Sequence, residues 1–127
     1  MFFKTSCATC DLAFPYLNTM REAYPDGWQI WAISQDAPDR SAEYARRFAI
    51  RYPVLIDAPD YSVSRLYDPP ATPTLFLIGP DGRVEYTTHG FAKGDINEVA
   101  RRIAAYTGAE PRVIAPEGDG RPSFKPG

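Results

Sequence analysis

Ser6-Cys7-Ala8-Thr9-Cys10-Asp11-Leu12-Ala13-Phe14-Pro15 is the stretch on which the fold turns. Two cysteines three residues apart open a run in which apolar side chains recur at Leu12, Tyr16 and Met20, with Ala13 and Leu17 beside them. That spacing predicts a helix from Ala8 to about Tyr24. Pro25-Asp26-Gly27 stops it with turn chemistry. With Cys7 as the N-cap, Cys10 falls at the third helical position on the same face, with a Cβ separation of roughly 5–6 Å that suits a disulfide after modest adjustment. The free N–H groups of the first turn then point at the Cys7 sulfur. Together with the helix dipole they favour thiolate, and cysteines so placed titrate at about 3.5–7.5 rather than about 8.5. Cys7 is expected as the exposed nucleophile, and Cys10 as the thiol that resolves the mixed disulfide.

Working outward, Pro15 inside the helix should kink its axis. On the N-terminal side, Met1 to Lys4 reads as the end of a strand. On the other side, Trp28 to Ser34 is rich in aromatic and β-branched residues and reads as a buried strand, with Trp28 and Trp31 in the core. Asp39 or Ser41 can cap a second helix to about Ile50, with Tyr44, Ala45 and Phe48 on its apolar face. Pro53 to Asp57 is a short strand and Tyr61 to Tyr67 a short helix. Thr74 to Ile78 is a fully apolar strand, Gly79-Pro80-Asp81-Gly82 a strong turn, and Arg83 to Thr88 the returning antiparallel strand. Asp95 to Thr107 makes a last helix with Ile96, Val99, Ile103 and Tyr106 on its buried face. The order predicts an α/β fold, a mixed sheet flanked by helices.

Beyond Gly108 the composition changes. Four Pro and four Gly fall in the last twenty residues, which reads as a flexible tail, 108–127, after a domain at 1–107. A chain of 127 residues otherwise fits one domain, and its 44% apolar and 24% charged residues are ordinary for a globular protein. At a net charge of −2, with no basic stripe, nothing points to nucleic acid. The longest apolar run, Leu75 to Ile78, is far short of the roughly 20 residues of a membrane span. Met1-Phe2-Phe3-Lys4 shows no signal-peptide pattern. A chain complete as it stands would be cytoplasmic, and one preceded by a further segment could be extracytoplasmic.

Pro73 opens the apolar strand in Ala71-Thr72-Pro73-Thr74-Leu75-Phe76-Leu77-Ile78. A cis bond there would leave a neighbouring backbone group free to pair with a bound peptide or thiol. The alternative is a proline that merely begins a strand. The cysteines have bland readings too, as an inert pair or half a zinc site. Zinc wants four ligands, whereas the chain offers two Cys and the remote His89, so no metal is expected. His89 reads as a surface residue ending the last strand, and Arg46, Arg47 and Arg51 as a solvated helix face.

C-A-T-C at a helix start, Phe14-Pro15, and T-P-T-L-F-L-I followed by G-P-D-G-R-V resemble the thioredoxin superfamily. The chain is most similar to the redoxin branch, the TlpA/ResA-type thiol–disulfide oxidoreductases and their AhpC/TSA peroxiredoxin relatives. Ser34-Gln35-Asp36, then a helix, then Y-P-V-L-I-D resembles the insertion that marks this branch. The resemblance covers about residues 1–107. It implies a thioredoxin-like, five-stranded sheet in the order 53–57, 28–34, 1–4, 74–79, 83–88, with a shortened central first strand and lower stability. It implies Cys7 as nucleophile, Cys10 as resolving thiol and Pro73 as a cis-proline beside them. Thr72, Ser6 and Thr9, next to these groups, are the candidate substrate contacts. The implied activity exchanges disulfides with a protein or small-thiol partner, is restored by an external reductant, and uses no cofactor.

Two positions depart from the family. Ser6 stands where a Trp is usual, and Ala13 where many ResA-type members have Glu, with Asp11 expected to face solvent as a poor replacement. The peroxiredoxin pattern P-x-x-x-T-x-x-C is missing as well, because Thr5 lies two residues before Cys7 and no proline precedes it. A thiol peroxidase using Cys7 is therefore the second reading. A non-enzymatic thioredoxin-fold binding module is the third.

Overall fold

Phe2 and Phe3 form β1 (Phe2–Phe3), and because successive strand side chains point to opposite faces, the two rings organise opposite sides of the sheet. The computed structural model describes residues 1–127. Phe3 faces α1 (Ala8–Ala23) and α2 (Pro38–Arg47), packing on Phe14 at 5.0 Å and Tyr44 at 5.2 Å between ring centroids. Phe48 completes that cluster against Tyr44 at 4.5 Å. Phe2 meets Tyr67 of α3 (Ser62–Tyr67) and Phe76 of β4 (Phe76–Ile78) on the other face. Tilted and edge-on pairs of this kind add to the burial of large aromatic surfaces.

β2 (Ala32–Ser34) pairs in parallel with β1 on one side and with β3 (Val54–Ile56) on the other. β4 pairs antiparallel with β5 (Val84–Thr87). An antiparallel bridge between Phe2 and Thr74 joins the two groups, with Phe2 N–H donating to the Thr74 carbonyl at 2.9 Å. The resulting order, β3-β2-β1-β4-β5, is the one the resemblance implies. β1 pairs through two residues, Phe2 and Phe3. The register shifts between Leu77 and Ile78, just before the Gly79–Gly82 turn.

Several details differ from the sequence expectation. β2 spans 32–34 rather than 28–34, because its partner β1 extends the ladder no further back than Met1. Trp31 therefore lies outside the core, 53% exposed, while Trp28 is half-buried beneath the Arg21 guanidinium. Tyr106 is 64% exposed instead of buried; the buried stripe of α4 (Lys93–Thr107) is Ile96, Val99, Ala100, Ile103 and Ala104. Trp31 and Tyr106 flank an apolar groove of about 600 Å³ near Met1, floored by Leu17, Met20 and Leu75. Neither Asp39 nor Ser41 caps α2. The N-cap is Ala37, followed by Pro38 at the first position, and Ser41 turns inward to share a hydrogen with Ser34 at 2.7 Å.

The largest difference lies beyond Gly108. In place of a loose tail, residues 109–127 are docked along α1 and α4 by polar contacts. The Tyr24 hydroxyl accepts from the Arg112 amide at 2.9 Å. The Asn97 side chain accepts from the Ile114 and Ala115 amides and donates to the Ala115 carbonyl. Lys93, 1% exposed, donates to the Asp119 carboxylate at 2.6 Å and to the carbonyls of Pro116 and Arg121. Three acceptors satisfy all three ammonium protons, which is what a buried lysine requires. Beyond them, β7 (Phe124–Lys125) pairs antiparallel with β6 (Phe91–Ala92). No helix is long and apolar enough to cross a membrane.

Candidate active site

Three short loops converge where α1 begins. The first, Lys4-Thr5-Ser6, leaves β1 and turns so that the Cys7 amide donates to the Lys4 carbonyl at 3.2 Å. Asp36, just past β2, anchors it by accepting from the Thr5 amide at 2.7 Å. Cys7 then takes extended backbone angles as the N-cap, and its Sγ accepts from the Cys10 amide at 3.0 Å. A sulfur here performs the task a capping hydroxyl or carboxylate performs elsewhere, satisfying one of the open donors of the first turn.

The second loop carries Thr72 and Pro73, joined by a cis peptide bond. The Phe2–Thr74 bridge holds this loop against β1, and the Gly90 amide donates to the Pro73 carbonyl at 2.9 Å. As a result the Thr72 carbonyl lies 3.3 Å from Cys7 Sγ, where it accepts the thiol hydrogen. Pro73 is buried and Thr72 half-buried. Cys7, Cys10, Thr72 and Pro73, 65 residues apart along the chain between Cys7 and Thr72, are thus one site.

The two sulfurs are free thiols in unlike surroundings. Cys7 is half-exposed, whereas Cys10 has no exposed surface. Burial, with the Cys7 sulfur next to it, pushes the Cys10 thiol well above its ordinary range. Cys10 is therefore held protonated at neutral pH.

The remaining sequence candidates separate. Ser6 is exposed on the loop ahead of Cys7. Thr9 is buried, and its hydroxyl donates to the Pro126 carbonyl at 2.8 Å. Asp11 is not simply solvated: its carboxylate accepts from the Tyr44 hydroxyl at 2.8 Å and from Arg47 at 3.3 Å. Burial, and then the Asp11 hydrogen bond, raise the Tyr44 phenol. Arg47 lies over the rings of Tyr44 and Phe48 and so belongs to this cluster rather than to a free basic face. His89 is exposed past β5, and no three His, Cys, Asp or Glu side chains gather as a metal site.

Sequence reasoning missed Asp36 and the third loop, Gly90 with residues 125–127 running beside it. The Ser-x-Asp spacing at 34–36 carried the only signal for Asp36, since the Ser34 hydroxyl accepts from the Asp36 amide in a local turn. Nothing in the spacing of residues 109–127 shows where they dock.

The chain is similar to known proteins. Thiol-disulfide oxidoreductase ResA of Geobacillus kaustophilus is 35% identical over 98 residues, 75% of this chain and 56% of the relative. ResA of Geobacillus thermodenitrificans is 33% identical over 100 residues, 76% and 57% of the two chains. The chain thus spans just over half the length of these curated relatives. Among solved structures, a Chlorobium tepidum protein assigned as thiol:disulfide interchange protein DsbE superposes with a TM-score of 0.74 at 28% identity, over 83% of this chain and 75% of that one. The fold is thioredoxin-like, as the CxxC and cis-proline loops suggest. Residues 1–87, from β1 through β5, match the AhpC/TSA family, and the chain belongs to that family.

Proposed function

We propose that this chain is a thiol–disulfide oxidoreductase that works through Cys7 and Cys10 on a partner carrying a disulfide. The observation that carries this reading is the asymmetry of the pair. Cys7 is half-exposed at the start of α1, with the Cys10 amide directed at its sulfur, while Cys10 is buried one turn behind it. The nucleophile in exchange is a thiolate, and the Cys10 amide and the helix N-terminus are donors aimed at it.

In the reducing direction, Cys7 attacks one sulfur of the partner disulfide. A Cys7–partner disulfide forms and the other partner sulfur leaves as a thiolate. Cys10 then gives up its proton, which the departing partner sulfur takes up, and attacks Cys7 Sγ, which closes the Cys7–Cys10 disulfide and releases the second partner sulfur as a thiol. Two electrons pass from the dithiol to the partner, and an external reductant restores the pair. Thr72, whose carbonyl meets the Cys7 sulfur, and Ser6 and Thr9, which flank Cys7 in the chain, are the candidate contacts for the partner chain. Neither a nucleic acid nor a metal has a place in this scheme.

Replacing Cys10 with Ser should trap the Cys7–partner disulfide, visible as a mass adduct that dithiothreitol removes. Cys7→Ser should abolish reduction of insulin. Insulin reduction by Cys7→Ser at the parental rate would overturn the assignment. A titration in dithiothreitol or glutathione buffers then tells reductase from oxidant, since couples in this chemistry span roughly −270 to −120 mV.

A further inference from the structure

Thr72, half-buried beside Cys7, carries an unpaired backbone group. Its carbonyl is engaged by Cys7, but no acceptor within the chain takes its amide. An unpaired amide on a half-buried loop beside a strand is a group to which an incoming peptide can pair its main chain. In this structure the chain itself lies against that loop. Gly127 runs so close over the loop that a Cβ on it would sit 2.7 Å from the Thr72 carbonyl oxygen and 2.8 Å from the Ala71 side chain. From the opposite side, a Cβ on Gly90 would sit 2.8 Å from both the Lys125 carbonyl and the Gly127 amide nitrogen. Two glycines thus let residues 125–127 pass between Gly90 and the Ala71–Thr72 loop. Pro126 in the middle accepts the Thr9 hydroxyl. Two candidate contacts beside the cysteines are thus met by adjacent residues of one segment, Thr9 by Pro126 and Thr72 by Gly127.

The cover is not solidly packed. Phe124, Pro126 and Gly127 are exposed. A pocket of about 420 Å³ opens along the seam between this segment and Pro70, Ala71, His89 and Gly90. The firm attachment lies upstream, where the buried Lys93 holds Asp119. A segment anchored at one end and lightly held at the other opens locally at low cost.

We propose that Lys125–Gly127 form a strap over the peptide-docking ledge beside Cys7, and that a protein partner must displace this strap while a small thiol reagent need not. This selectivity rests on the exchange function proposed above, but the strap itself can be tested without it. If the strap is shut nine-tenths of the time, the competent fraction slows access of bulky partners by about tenfold.

The test compares alkylation of Cys7 by iodoacetamide and by a 5-kDa polyethylene-glycol maleimide, on the full chain and on two variants. Lys125→Pro removes an N–H from the β6–β7 ladder, and Asp119→Ala releases the anchor at a distance from the ledge. Hydrogen exchange of the 123–127 amides confirms release. The expected result is about a tenfold faster maleimide reaction with iodoacetamide unchanged within about twofold, as the competent fraction rises towards one. Insulin reduction should rise in step. Released amides with neither rate changed would overturn the strap, as would equal acceleration of both reagents, which signals general loosening. The expected alkylation pattern without insulin reduction by any form would leave the strap standing and sink the exchange function.

Discussion

The chain holds its two halves together by different means. Around α1 and β1 the joint is apolar: Phe3, Phe14, Tyr44 and Phe48 interlock, with Leu17 and Met20 fully buried behind them. Residues 109–127 bury little beyond Ile114 and Ala115 and hang instead on a few polar atoms of Tyr24, Lys93 and Asn97. Apolar burial is non-directional and spreads its contribution over many contacts. A polar clamp is directional and fails when one atom is removed. The reactive sulfurs sit on the first kind of joint and the strap on the second, so the site can stay rigid while its cover moves.

The largest expected effect breaks the apolar joint. Phe14 is fully buried and its ring meets Phe3, Tyr44 and Phe48. Phe14→Ala should cost about 3–5 kcal/mol, through lost burial and the cavity left behind. Urea unfolding should show a lower midpoint at an unchanged slope. A loss below about 1 kcal/mol would mean that the cluster does not hold α1 to the sheet.

A smaller effect tests whether the polar joint is separate. Asn97→Ala leaves the Ile114 and Ala115 amides and the Ala115 carbonyl without their partner. The expected cost is about 1–3 kcal/mol, confined to the segment. Amides in 109–127 should exchange faster while those of α1 keep their protection. If α1 amides speed up equally, the two joints form one cooperative unit and the comparison fails.

The same contrast explains what could be read in advance. Hydrophobic period predicted α1 to within a residue at its end, Ala23 against about Tyr24, because burying Ala13, Leu17 and Met20 on one stripe is what makes the helix. The start of α1 at Ala8 followed from Cys7 as the cap. The strand order followed from the family resemblance. Trp31 failed because strand length depends on the partner strand, which period alone does not report. The docked segment was illegible for a different reason. Its Pro and Gly content is that of a linker, and single-atom contacts such as Asn97 Oδ1 to two amides have no periodic signature. Half of the candidate site suffered the same fate: Cys7, Cys10 and Pro73 stand in motifs, but the Pro126 carbonyl on Thr9 does not.

The smallest expected effects concern acid, and they sharpen the comparison by sign. The Lys93 ammonium, and then the Tyr16 hydroxyl, hold the Asp119 carboxyl well below the ordinary carboxylate range. A carboxyl with a lowered folded pKa contributes stability above its unfolded pKa of about 3.9, and loses it as pH falls through the lower folded value. Asp57 behaves alike: burial pushes it up, but the Ser64 hydroxyl and the amides of Val63 and Ser64 outweigh that and lower it. Acidifying below about pH 4 should therefore open the Asp119-anchored segment before α1 unfolds, since Phe3, Phe14 and Phe48 hold α1 by apolar burial. Exchange of the 114–127 amides against pH reads this, and Asp119→Asn should flatten the acid response. Glu98 is the control. Arg101 and Arg102 lower its carboxyl to about 2, yet it is half-exposed on the outer side of α4 beside solvent-exposed Arg101, where solvent screens the pairs. Glu98→Gln should leave both the urea midpoint and the acid opening of the segment where they are. A Glu98→Gln chain that lost its acid response would place the switch on the outer face of α4 instead of at the Lys93 clamp.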